Sequence, residues 1–309
     1  MYHILLISMQ IAATPLLSPL MIGLVRKAKA RMQNRTGASI FQPYRDLWKL
    51  FHKDETVSRD ASWISTAAPY IVFGVTVVLG ASIPLLGAAT LPLASSDLLT
   101  VIYLIALGTF FLALAGMDTG GGFGGFGASR EMTMAALTEA GLLFSFLPLA
   151  IYAKSAHLES IAAATAGLPV AIIIPWVLCG LAYGIAMLSE TARFPFDNPA
   201  THLELTMMHE AMILEYSGKK LALMEWAAAN KFFIFLILGA NIFLPFTPNA
   251  ASHWLGMATL VGVTAIKVIG IAVGVAILES SIAKYRMFRL PDLLFGSFIL
   301  GLIAISFIH

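Results

Sequence analysis

Four ionisable side chains, Glu139, Glu190, Lys267 and Glu279, sit inside or at the ends of long apolar runs. A charge among aliphatic neighbours is costly unless it faces a bundle interior, a hydrated cavity or an opposite charge. A carboxylate held in such a place can take up and release a proton near neutrality. Glu139 lies eight residues beyond Glu131, about 12 Å further along a helix. Lys267 stands near the middle of its run, so a structural Glu139–Lys267 pair competes with a proton-carrying role. The default for intramembrane ionisable groups favours the functional reading for both. Glu190 and Glu279 lie at run ends, where snorkelling to the interface explains a charge equally well.

The segment 190–218, ETARFPFDNPATHLELTMMHEAMILEYSG, is the densest polar stretch of the chain. Pro195 stops the preceding run, and Asp197 or Asn198 can cap a new helix with Pro199 in its first turn. On that expected helix Glu204, Met208, Ala211 and Glu215 share one face, with His202, His209 and Tyr216 opposite. His209 and Glu210 begin like the zinc motif HExxH, but Ile213 stands where the second histidine is required, so no zinc site is expected. Upstream, Gly122-x-Gly124-x-x-Gly127 has the letters of a dinucleotide fingerprint. It joins two apolar runs instead of a strand and a helix, so it is read as backbone passing close to a neighbour.

These residues need elements to carry them, and the composition dictates which kind. The 309 residues are 59% hydrophobic and 12% charged, with a mean hydropathy of +0.84. A soluble fold would lack the polar residues to cover its surface, and 20 Phe with 5 Trp exclude disorder. The expected fold is all-α, a single integral membrane domain over 1–309. About eight transmembrane helices are expected, at 4–25, 69–93, 98–117, 131–152, 168–190, 226–247, 252–279 and 291–308. No basic stretch precedes the first run, so it does not read as a signal peptide. The odd-numbered loops, chiefly 26–68 and 191–225, hold sixteen Lys/Arg, and the even-numbered loops only Lys154. The odd loops are therefore expected in the cytoplasm and both termini outside it. Tyr44, Leu47, Trp48 and Phe51 recur at helical spacing after Pro43 and mark an amphipathic loop helix, lying on lipid headgroups or docking a partner. Gly270 and Gly274 form a GxxxG pair in the seventh span, a helix-contact signal. A lone cysteine, Cys179, excludes a disulfide framework or a cysteine-ligated cluster within the chain.

Several motifs together resemble the membrane subunit shared by complex I (subunit 1 of NADH:quinone dehydrogenase) and energy-converting hydrogenases such as formate hydrogenlyase. They are GASIFQP at 37–43 with DLWKLFHK at 46–53, Arg130 with Glu139, PFD at 195–197, EYSG at 215–218, and Lys267 with Glu279 and Arg286, Phe288, Arg289 and Pro291. The wording of 190–204, MHEAM at 208–212 and GASREMT at 127–133 resembles the hydrogenase branch. Complex I carries an arginine where this chain has Glu279. The resemblance implies a subunit that is not an enzyme on its own and holds no cofactor. It would anchor soluble hydrogenase large and small subunits and an iron–sulfur protein, whose iron–sulfur clusters and nickel–iron centre do the redox chemistry. It would couple them to proton or sodium pumping in antiporter-like membrane subunits of a prokaryotic cytoplasmic membrane, with no nucleic acid involved. The implied proton path is Glu139, Glu190, Glu204 and Glu215, with Lys267 as a partner. Arg130, Arg193, Asp197, His209 and Glu210 would shape the loop or dock the redox arm. The competing functions are a complex I quinone-site subunit and a stand-alone ion transporter.

Overall fold

The computed structural model describes residues 2–58, 60–85, 96–166, 170–197, 207–244, 254–283 and 285–308. The described chain is helical: α1 (Tyr2–Met32), α2 (Gln42–Phe51), α3 (Trp63–Ser82), α4 (Leu98–Asp118), α5 (Gly122–Ala153), α6 (Leu158–Thr165), α7 (Ile173–Glu190), α8 (His209–Ile213), α9 (Gly218–Phe243), α10 (Trp254–Ser281) and α11 (Leu290–Ser306). Among the described residues, eight helices are long and apolar enough to cross a membrane. They are all of these except α2, α6 and α8, with α11 extended by the turn before it. The all-α, multi-pass membrane fold follows.

The boundaries differ from expectation for local reasons. The second span ends at Ser82, not at 93, because Pro84 forces Ile83 into an extended conformation (φ −94°, ψ 126°). The carbonyls freed there are covered by side chains. Gln10 Nε2 donates to Ala81 O and Ile83 O, and Asn241 Nδ2 donates to Pro84 O at 2.6 Å. The fourth span starts at Gly122 and absorbs the glycine-rich segment. There α5 presses on α4 and α8: a Cβ at Gly124 would overlap the Gly116 carbonyl, and one at Gly127 would lie 2.8 Å from Met208 O. The sixth span begins at Gly218, eight residues before the apolar run, with Met224 buried beneath its basic first turns.

Two packing groups make up the bundle. α5 packs on α4, α7 and α11, while α9 packs on α1, α3 and α10, and α3 against α4 joins the groups. Every residue from Phe232 to Ile242 is buried, so α9 is covered on all sides and is the central helix. It is stitched to its neighbours by polar contacts. Ser18 Oγ donates to Asn230 Oδ1 at 2.6 Å, Asn230 Nδ2 to Thr76 Oγ1 at 3.1 Å, and Tyr183 Oη to Phe235 O at 2.6 Å. α2 lies across the bundle on α1 and α9, burying Pro43 and Leu47. Trp48, expected on its apolar face, is 69% exposed and stacks against His52 instead.

With eight crossings, α2 and α8 lie on one side of the bundle and α6 on the other. Reporter fusions after Lys53 and Lys220 should therefore give the same signal, and a fusion after Lys154 the opposite one. Equal signals at all three would overturn the count of crossings.

Candidate functional site

The last turn of α7 builds the site. Ala192 takes a left-handed conformation (φ +50°), and the Arg193 N–H bonds to Leu188 O while the Ala192 N–H bonds to Ser189 O. This is the Schellman pattern, with alanine where glycine is usual, and it ends the helix directly after Glu190. The chain then turns on the Arg193 carbonyl, which accepts from Phe196 N at 2.8 Å and Asp197 N at 3.2 Å. Asp197, almost fully buried, accepts from the backbone N–H groups of Met208 and His209, both at 3.2 Å. It caps α8, in the manner expected of a helix start, but on a helix beginning twelve residues further on. Arg130 Nη1 donates to Met207 O and ties α5 to the same segment.

Glu190 is buried and pairs with a residue that no motif had singled out, Lys231 of α9. Lys231 Nζ lies 2.7 Å from Glu190 Oε1. Thr109 of α4 completes the centre: its hydroxyl donates to Glu190 Oε1 at 3.2 Å and accepts from Lys231 Nζ at 3.3 Å. Lys231 was identifiable in principle, since it stands within the 226–247 apolar run and the rule for intramembrane charges applies to it as much as to Lys267. Glu131 lies within electrostatic reach of Lys231, Glu190 and Asp197, and Glu139 within reach of Glu190 and Lys231. Several carboxylates thus converge on one ammonium.

The Glu190–Lys231 pair separates two small cavities. One, with room for about a single water, is lined by Glu131, Thr138, Ser189, Glu190, Asp197 and Met208. The other has room for about two or three waters and is mostly apolar, with Lys231, Thr109, Thr76 and His209 as its polar lining. Burial, and then Lys231, push the His209 imidazole down to about 4, with Asp197 and Glu190 opposing.

A second charge centre lies two to three residues along. Glu279 of α10, buried, receives Arg193 Nη1 at Oε1 (3.2 Å) and the Lys29 ammonium of α1 at Oε2 (2.8 Å). The Lys29 contact brings the charges together without hydrogen-bond alignment. Arg193 also stacks over the Phe232 ring at 4.2 Å, and its burial pulls the guanidinium below its ordinary value against the pull of Glu279.

The expected site residues are only partly brought together. Glu139 and Glu190 converge, with Asp197 and His209 beside them. Glu204 and His202 lie outside the described residues. Glu215 is exposed in the turn before α9, beside Gly121, while Met208 and Ala211 are buried. The shared face expected of these residues does not form, because the described helix spans His209–Ile213 alone. Glu210 is partly exposed on α8. Lys267, on α10, pairs neither with Glu139 nor with any other group among the described residues. Among those residues no three His, Cys, Asp or Glu side chains gather as metal ligands.

The chain as a whole has relatives among known proteins. The family described as NADH dehydrogenase matches residues 4–309. The chain belongs to that family. Within it the chain is similar to hydrogenase-4 component C of Escherichia coli (strain K12), 35% identical over 292 residues, covering 94% of this chain and 90% of that protein. Formate hydrogenlyase subunit 4 of the same organism is 31% identical over 283 residues, 91% of each chain. A subunit of the NADH-quinone oxidoreductase of Anaplasma phagocytophilum (strain HZ) is 28% identical over 218 residues, 64% of this chain and 63% of that one. A chain of the membrane-bound sulfane sulfur reductase, an archaeal respiratory membrane complex, shares the fold with a TM-score of 0.86 at 20% identity, over all of both chains. This NADH dehydrogenase family member is thus a membrane subunit of the hydrogenase type, a non-catalytic part of a multisubunit oxidoreductase.

Lys231→Met should leave Glu190 buried without its counter-charge and cost about 3–5 kcal/mol. Adding Glu190→Gln should recover most of that loss in thermal unfolding of the detergent-purified protein. A single variant as stable as the native chain would show that the pair contributes no net attraction. For His209 the unfolded chain binds its proton first, so stability should fall as pH drops from about 6.5 towards 4 and be unaffected above 7. The expected loss is at most about 3.5 kcal/mol, from about 1.4 kcal/mol per pKa unit. His209→Gln should flatten that part of the pH profile, and an unchanged profile would refute the assignment.

Proposed function

We propose that this chain is the coupling subunit of a membrane-bound hydrogenase or formate hydrogenlyase-like complex, seated in a prokaryotic cytoplasmic membrane with both termini outside. The observation that carries this reading is the buried Glu190–Lys231–Thr109 centre, which borders two cavities and is tied by a few residues of chain to the loop that Asp197 holds. Its partners would be hydrogenase large and small subunits and an iron–sulfur protein on the loop side, with antiporter-like subunits beside it in the membrane. Iron–sulfur clusters and a nickel–iron centre would belong to those soluble partners. Proton movement would run from the cavity beneath Asp197, through Glu131 and Glu190, to Glu139 and the neighbouring subunits. Glu204 and Glu215 would stand where the path meets the redox arm.

Glu279 supports the hydrogenase branch over the quinone-site reading. Its carboxylate neutralises Arg193 and Lys29 at once; an arginine at 279 would bring three cations together. The chain's family membership and similarity to named components of larger complexes weigh against a stand-alone transporter.

Glu→Gln keeps size and hydrogen bonding while removing the titration. Glu139→Gln, and Glu190→Gln combined with Lys231→Met so that no buried ammonium is left unpaired, should each let the complex assemble and transfer electrons in detergent, yet lose most ion translocation in sealed vesicles. Native pumping in both variants would refute the path. Separately, Arg193→Ala or Asp197→Ala should loosen the loop and release redox subunits into the soluble fraction; full retention in both would count against the loop as the arm's seat.

A further inference from the structure

Among the described residues, the bundle covers only one side of α2. The helix packs on α1 and α9 and buries Pro43 and Leu47, which lie about 40° apart around its axis. Tyr44 stands about 100° from Pro43, Trp48 about 140°, Arg45 about 200° and Lys49 about 240°. Trp48, Arg45 and Lys49 are exposed. So is Phe41, just before the helix, whose ring meets that of Tyr44 at 6.3 Å. The outer side of α2 thus carries an aromatic edge and a basic edge next to each other. The one acid of the helix, Asp46, lies beyond the basic edge as seen from Trp48, where the Gln42 amide donates to it at 2.8 Å.

Tyr44 fixes which edge faces the membrane. Its hydroxyl donates to the carbonyl of Leu16, in the middle of α1. The first Lys or Arg of α1 is Arg26, ten residues nearer the loop and about 15 Å along the helix. The Tyr44 side of α2 therefore faces the bilayer interior, and the opposite side, beside Lys49, faces water. Leu16 and Leu17 are themselves exposed on α1, so the aromatic edge continues an outward apolar surface of the first span. Trp48 and Phe41 take the place that aromatic rings occupy at a membrane interface, with Arg45 and Lys49 above them at headgroup level. A soluble subunit would approach from the side opposite Tyr44. Trp48, only about 40° from Tyr44 around the helix, is turned away from it.

We propose that the outer side of α2 binds an acidic phospholipid, with Arg45 and Lys49 on the phosphate and Trp48 and Phe41 along the glycerol and upper acyl region. Two cations four residues apart, with the only acid of the helix turned aside, suit a headgroup of net negative charge. A zwitterionic headgroup sets its own ammonium against them and gains less. The proposal rests on the membrane-spanning bundle and not on the proton path or the redox arm, so the coupling and release measurements can fail without affecting it.

The test places the purified complex in nanodiscs of phosphatidylglycerol and phosphatidylcholine in equal amounts, with a photo-crosslinking amino acid in place of Trp48. Illumination should join α2 to lipid, and phosphatidylglycerol adducts should exceed phosphatidylcholine adducts by about three-fold or more. Arg45→Gln with Lys49→Gln should bring that ratio to about one. Both side chains are exposed, so the change leaves the bundle intact. Arg31→Gln with Arg35→Gln removes the same charge from exposed positions away from α2 and should keep the ratio above about two. Adducts with another subunit in place of lipid would overturn the proposal, as would an equal ratio with Arg45 and Lys49 present. It would also fall if the Arg45 and Lys49 changes left the ratio untouched, or if the Arg31 and Arg35 changes abolished it equally.

Discussion

The Glu190–Lys231 ion pair is the contact to which the rest of the bundle is fitted. Two charges in an apolar interior lose their hydration, and their attraction offsets that loss only when geometry is close and the remaining lone pairs are used. A 2.7 Å separation and a shared threonine hydroxyl supply those conditions. They require α4, α7 and α9 to meet at one depth. The abrupt end of α7 after Glu190 and the complete burial of α9 both serve that meeting.

The same turn links this pair to a second charge centre at Glu279. Between Glu190 and Arg193 the chain advances three residues, yet it passes from a carboxylate on the Lys231 side to a guanidinium on the α1 and α10 side. A shift of the Ala192 turn would therefore disturb both centres together. Asp197 extends the connection by holding α8 under the α4–α5 junction, where glycines allow Met208 and Met212 to approach the backbone. Loop and bundle are in this sense one mechanical unit: the loop's backbone is bonded to the groups that hold the membrane charges.

The membrane spans were legible because hydropathy is a property of single residues. Eight spans, the amphipathic Gln42–Phe51 helix and the close packing of the glycine segment all follow from local patterns. Boundaries were less legible, since Pro84 acts on Ile83 and on carbonyls whose donors come from Gln10 and Asn241, distant in sequence. The site was read in part. Glu139 and Glu190 were visible as charges in apolar runs, but a partner was sought at Lys267 when it is Lys231. Helical periodicity places residues around one helix and says nothing about which helices face one another. Among the described residues, the one-face grouping of Met208, Ala211 and Glu215 failed for a related reason. It assumed a regular helix through a segment whose described part is organised by the Asp197 side chain and by a five-residue helix.

The central position of α9 also has a temporal side. Its polar contacts go to residues synthesised before it: Pro15 and Ser18 on α1, Thr76 on α3, Pro84, Thr109 on α4, Tyr183 and Glu190 on α7. A helix carrying Asn230 and Lys231 is a poor candidate for entering lipid by itself. Because chains emerge from their N-terminus, α9 reaches a membrane that already holds the partners for these polar groups. Chain order thus relieves the insertion problem that the buried charges create, and moving α9 ahead of α7 in a permuted gene would bring that problem back.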